Sequence, residues 1–132
     1  MASPIYIRIY NYTNTALTTK VTEQRDLEDA GANFNNITIN GGTAYESDTK
    51  VKTGAGNGEL TISLYQGSVL IGYFKMKDLK NPHEGLNSIE VPDPSGAYQF
   101  TSVAYRHLPN EPEDNRYIYL AVNTYPSGSS LP

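Results

Sequence analysis

The stretch GELTISLYQGSVLIGYFKM, Gly58 to Met76, decides the fold class of this chain. Leu60, Ile62 and Leu64 alternate with Glu59, Thr61 and Ser63, the period-two pattern of a half-buried strand. Gln66-Gly67 then reads as a two-residue turn, because Gly takes positive φ without steric cost. In that register Leu64 faces Val69, Ile62 faces Ile71 and Leu60 faces Tyr73, so apolar residues pair across the strands. Leu70, Phe74 and Met76 make the second strand apolar on its other side too. A strand apolar on both faces belongs inside a sheet.

Working outward, the same design recurs at both ends of the chain. Ile5, Ile7 and Ile9 alternate with Tyr6, Arg8 and Tyr10. Near the other end Ile118, Leu120 and Val122 face in, while Tyr117, Tyr119 and Tyr125 face out. Two strands built alike, aliphatic inside and tyrosine outside, are expected in one sheet with their tyrosines on a shared surface. Between them, Ala16–Thr22 and Asn36–Asn40 read as short strands. Ala44–Lys52 is polar enough for an edge strand or extended loop. Leu86–Val91 and Ala97–Tyr105 are further strands, the latter with Tyr98 and Phe100 on one face and Val103 and Tyr105 on the other. Glu23–Asp29 (EQRDLED) has the one helical look, and Asn33–Asn36 reads as loop. About eight short strands with turn signals at the spacing of a sandwich or barrel predict an all-β, antiparallel β-sandwich. A single domain is expected over 1–132, with an ordered core over 5–125 and a frayed tail at 126–132.

Composition bounds the function. The 132 residues carry a net charge of -4, with no basic face to suggest nucleic-acid binding. With no Cys there is no disulfide, thiolate nucleophile or Cys-type zinc site. The start, MASPIYIRIY, lacks the pattern of a secretory signal, and no run reaches membrane-spanning length. Cytoplasmic synthesis is therefore expected, followed by storage in an inclusion or release without a leader. Asn11-Tyr12-Thr13 and Asn36-Ile37-Thr38 match the glycosylation sequon, but without an export signal they read as chance occurrences.

The order of elements resembles that of the aegerolysins, and is most similar to the small component of the binary insecticidal crystal toxins of Bacillus. Three features carry the likeness. The strand Ile5–Tyr10 runs into Asn11-Tyr12-Thr13. The glycine-rich stretch Gly54–Gly58 precedes the strand Glu59–Leu64. Tyr73-Phe74 is followed by Asn81-Pro82-His83-Glu84-Gly85-Leu86-Asn87. Two departures stand beside them. Lys75–Leu79 lengthens the link from Tyr73-Phe74 to Asn81-Pro82, and the chain has no Trp, whereas the lipid-binding fungal members are tryptophan-rich. The resemblance implies a β-sandwich that binds membrane lipids and forms pores only with a larger partner protein.

Among candidate sites, Tyr6, Tyr10, Tyr12, Tyr117, Tyr119 and Tyr125 stand out. There are 11 Tyr, 3 Phe and no Trp. A tyrosine surface suits a membrane interface or the face of a sugar ring. The plainer reading is that these rings cover a sheet through ordinary cross-strand pairs. Asn81, Pro82, Gly85 and Asn87 read as turn chemistry. The histidines, His83 and His107, fall in proline-containing loops with no nucleophile pattern nearby, so no catalytic residue is assigned. Glu111, Glu113, Asp114 and Asn115 do not follow a calcium-loop pattern and read as a solvated acidic loop. No metal or cofactor is expected. The expected function is non-enzymatic: binding to a membrane lipid or glycolipid surface, as a toxin component beside a larger partner. A carbohydrate-binding lectin, or a structural subunit that self-assembles into a homo-oligomer, is the alternative.

Overall fold

The computed structural model describes residues 5–52, 58–78, 88–92, 94, 96–106 and 116–124. Ten strands run in chain order: β1 (Ile5–Asn11), β2 (Leu17–Arg25), β3 (Leu27–Glu28), β4 (Thr38–Ile39), β5 (Thr43–Val51), β6 (Gly58–Gln66), β7 (Val69–Asp78), β8 (Ser88–Glu90), β9 (Tyr98–Arg106) and β10 (Arg116–Thr124). One short helix, α1 (Ala30–Phe34), lies between β3 and β4. They form two five-stranded sheets, ordered β3-β5-β1-β10-β9 and β4-β2-β6-β7-β8. The sheets pack face to face as a β-sandwich, the expected all-β class.

The core follows from the alternation. Ile5, Ile7, Ile9, Ile118, Leu120 and Val122 from the first sheet meet Leu60, Ile62, Leu64, Phe74 and Met76 from the second, all fully buried. The first and last strands do share a sheet and are direct neighbours. Their pairing is parallel, however, with Ile5 opposite Arg116 and Asn11 opposite Val122, in a sandwich otherwise antiparallel throughout its described ladders. Alternation constrains which face a strand buries, and a parallel neighbour satisfies it as well as an antiparallel one.

The central hairpin forms, with a different register. Gln66 pairs with Val69, so Gly67-Ser68 is the turn, and Gly67 holds φ 60°. Positive φ at the first central residue is what a Gly-led two-residue turn supplies. Moving the turn by one residue shifts every pairing by two and keeps the faces. A bulge between Leu64 and Tyr65 then adds the odd residue, Ile71, and reverses them. Ile62 consequently lies opposite Phe74 and Leu60 opposite Met76, not Ile71 and Tyr73. Ile71, Phe74 and Met76 are buried, whereas Val69, Leu70 and Tyr73 are exposed. The fully central strand of this sheet is β6.

The helical segment also moves. Glu23–Arg25 prolongs β2, and Leu27 is buried in the core through β3, which pairs with the end of β5. Asp26 and Asp29 hold φ 56° and 59°, left-handed values that stop a helix from running through 23–29. The helix forms one step later, where Ala30 and Phe34 are buried and the Phe34 ring meets Tyr45 edge-on at 6.3 Å. β5 is nearly the edge strand its polarity suggested, covered on its outer side by the two residues of β3.

Candidate functional site

The outer face of the first sheet is set by three neighbouring strands. Because Ile5, Ile7 and Ile9 point inward, Tyr6, Arg8 and Tyr10 point outward, beside Tyr117, Tyr119 and Ala121 of β10. On β5, Asp48, Glu46 and Ala44 continue these rows; on β9, Val103 and Thr101 stand opposite Tyr119 and Ala121.

Five of the six tyrosines singled out from the sequence form one unbroken chain of ring contacts. Tyr6 stacks on Tyr117 at 5.4 Å, and Tyr117 meets Tyr119 edge-on at 6.4 Å. Tyr119 meets Tyr10 at 6.1 Å and 89°, and Tyr10 stacks on Tyr12 at 5.6 Å with the planes 3° apart. Four of these rings are half-buried; Tyr12 is 59% exposed. The surface is therefore both a cross-strand cover and a contiguous aromatic patch. Tyr125, together with Asn81, Pro82, Gly85, Asn87, both histidines and the 111–115 loop, lies outside the described residues.

Three features of this surface were not assigned a role in it from the sequence. The first is Arg8, set among the tyrosines. Its guanidinium carbon lies 5.6 Å from the Tyr10 ring centre and 5.7 Å from that of Tyr119. Its Nη1 donates to the Tyr10 hydroxyl at 3.0 Å and its Nε donates to Glu46 at 2.8 Å. The Tyr10 and Glu46 bonds hold its pKa above even the ordinary arginine value, so the charge is permanent.

The second is a clasp beneath Tyr12. Asn11 and Thr13 are 1% and 4% exposed. The Asn11 amide donates to the carbonyls of Thr15 and Ile39, both at 2.8 Å, and its Oδ1 accepts from the Thr13 backbone at 3.0 Å and the Thr13 hydroxyl at 2.6 Å. Both donors and both lone-pair positions of the amide are thus used. The bond to Ile39 links the first sheet to β4 of the second. The sequon-like Asn11-Tyr12-Thr13 is therefore a structural knot: its outer residues are locked inside and its middle ring is held out to solvent. Such Asn-to-backbone bonding two residues on is a known local habit of Asn, and was the available sequence signal.

The third is a groove. Ala121 stands between Tyr10 and Thr101, and its small side chain leaves a depression in the row. The resulting open groove, about 390 Å³, is lined by Tyr10, Tyr12, Tyr119, Ala121, Thr101, Ser102 and Val103. None of these is charged. The visible signal was Ala121 itself, which interrupts the outward tyrosines of the last strand.

The opposite outer face is different in kind. On the second sheet Arg25 pairs with Glu59 at 3.1 Å and Lys75 with Glu23 at 3.2 Å, and Lys77 and Glu90 lie beside Glu59 and Lys75. The second sheet's outer face thus carries these ion pairs beside the exposed Tyr73, whereas the first gathers five tyrosines around the Arg8–Glu46 pair, with Lys50–Glu28 at its edge. Among the described residues no group of three or more His, Cys, Asp and Glu is placed to hold a metal ion, and no helix is long and apolar enough to cross a membrane.

No protein-family model and no curated protein matches the chain at the level of sequence. Solved structures match it in fold. The RahU protein, solved in complex with a TRIS molecule, aligns with a TM-score of 0.62 at 9% identity, over 93% of this chain and 96% of its own. IP-1A from Alcaligenes faecalis aligns with a TM-score of 0.58 at 18% identity, over 91% of each chain. The lipid binding protein Nakanori aligns with a TM-score of 0.59 at 12% identity, over 92% of this chain and 71% of its own. At such identities what this chain shares with all three is the fold.

Proposed function

We propose that this protein is a non-enzymatic, lipid-binding β-sandwich that adsorbs to membranes through the tyrosine face of its first sheet. The observation that carries the reading is the unbroken chain of Tyr6, Tyr117, Tyr119, Tyr10 and Tyr12 on one outer face. A tyrosine has an apolar ring and a polar tip, the combination favoured at the boundary of headgroup and hydrocarbon. Contiguous exposed apolar surface on a monomer commonly serves binding. A similar fold in a lipid binding protein supports the same reading.

The resemblance to the aegerolysins extends the proposal: an insecticidal or pore-forming toxin component made in the cytoplasm and working with a larger partner protein, which supplies the pore. Co-sedimentation with liposomes tests the core of it. Wild type should be retained on vesicles, and Tyr12→Asp, which places a charge at the most exposed ring, should lose retention about tenfold or more, or about 1.4 kcal/mol. Failure of every lipid mixture and of insect brush-border membranes to retain the wild-type protein would end the proposal.

A further inference from the structure

We infer that the groove over Ala121 holds a neutral pyranose ring, the headgroup sugar of a membrane glycolipid. This rests on the reading of the tyrosine face as the membrane-facing surface, and names the chemistry it selects.

The first step is charge. The seven lining residues are all uncharged, so an ion entering the groove would lose water without meeting a counter-charge. A cation is disfavoured further. The Tyr10 and Tyr119 rings, which would attract it, already face the Arg8 guanidinium, whose fixed positive charge repels a second one. An anion finds Arg8 already matched by Glu46 at 2.8 Å. A neutral ligand remains.

The second step is shape and polarity. Tyr12 is 59% exposed and backed by Tyr10 in a parallel stack, so it offers a flat apolar surface that does not need to reorganise. The clasp of buried Asn11 and Thr13 on either side holds it there. Across the groove the exposed Thr101, opposite Ala121, brings a hydroxyl that both donates and accepts, while Ser102, opposite the inward Leu120, turns its side chain to the other face. A wholly apolar occupant, an acyl chain or a sterol ring system, would strip water from the Thr101 hydroxyl without replacing its hydrogen bonds. A pyranose has a face of C–H groups for the ring and a rim of hydroxyls for Thr101 and the Tyr12 tip. A volume of about 390 Å³ suits one or two sugar rings and falls at the lower end of small-molecule sites.

The test uses the full chain and phosphatidylcholine vesicles with and without galactosylceramide or glucosylceramide. Retention should be about tenfold greater on one or both hexosylceramide vesicles than on phosphatidylcholine alone. Ala121→Leu, which fills the groove from the outer face, and Tyr12→Ala, which removes the platform, should each abolish that difference while keeping the wild-type thermal midpoint. Two variants from different elements, β10 and the turn after β1, guard against one failing to fold. Equal retention on all three vesicles overturns this inference and leaves the lipid-binding reading standing. Retention on hexosylceramide vesicles that survives both variants also overturns it. Absence of retention on all three vesicles, with methyl-hexosides still shifting the NMR signals of the groove tyrosines, overturns the glycolipid source, and the lipid-binding reading falls with it only when other lipid mixtures and insect brush-border membranes fail as well.

Discussion

Replacing Asn11 with Ala removes a side chain that is 1% exposed and engaged by all its polar atoms. Two bonds are donated, to the Thr15 and Ile39 carbonyls, and two accepted, from the backbone and hydroxyl of Thr13. A neutral hydrogen bond contributes about 1 kcal/mol net, and a buried group left unpaired costs about 1–3 kcal/mol. The Thr15 carbonyl is only part-buried and can turn to water, whereas the Ile39 carbonyl faces a buried bond and is left without its donor. The expected loss is therefore about 3 kcal/mol, against about 0.5 kcal/mol or less for an ordinary surface substitution. In urea, with a slope of about 1.5–2 kcal/mol/M, the midpoint should fall by about 1.5–2 M. The chain has no Trp, so tyrosine fluorescence and near-ultraviolet circular dichroism report the transition directly. Asn11→Asp separates hydrogen bonding from packing, because it is nearly isosteric. At neutral pH its carboxylate would face two carbonyl oxygens, so it should be as damaging as Ala. Burial and that repulsion raise its folded pKa above the unfolded value, so its stability deficit should shrink as pH falls through the raised pKa and the proton restores a donor. A loss below about 1 kcal/mol for Asn11→Ala with an unchanged urea slope, or a harmless Asn11→Asp at neutral pH, would refute the reasoning.

Three further outcomes are expected. Gly41→Ala places a Cβ 2.8 Å from the Asn14 carbonyl carbon and the Thr13 oxygen, both backbone, so the clasp loop must shift; urea unfolding should show a loss of about 1–3 kcal/mol, and a loss below about 0.5 kcal/mol would mean that the loop yields freely. Phe74→Ala empties the centre of the core from a fully buried position and should cost about 3–5 kcal/mol by the same measurement. Glu46→Gln breaks a pair whose side chains are more than a third exposed, so the thermal midpoint should reflect less than about 1 kcal/mol, and a larger loss would show that Arg8 depends on Glu46 for more than a surface contact.

Together with the central hairpin and the spacing of the turn signals, the aliphatic–tyrosine alternation of Ile5–Tyr10 and of Arg116–Tyr125 pointed to an all-β sandwich, to the two end strands in one sheet and to tyrosines gathered on its outer face. It could do so because facing is a local property: successive residues of an extended chain point to opposite sides, whatever lies next to them. Pairing is not local. The parallel match of β1 with β10 needs a partner more than a hundred residues away, and nothing in either strand distinguishes the two directions. The hairpin register turned on Ile71, a single bulged residue that makes Phe74 and Met76 core and leaves Tyr73 outside. The helix moved because Leu27 found the core through β5, a tertiary contact that outweighed the local pattern of EQRDLED. The groove, likewise, exists only where Ala121 is set between Tyr10 and Thr101, three residues from three strands. Composition along one strand decides which residues face outward; only the assembled sheet decides which neighbours they meet, and a binding surface is made of neighbours.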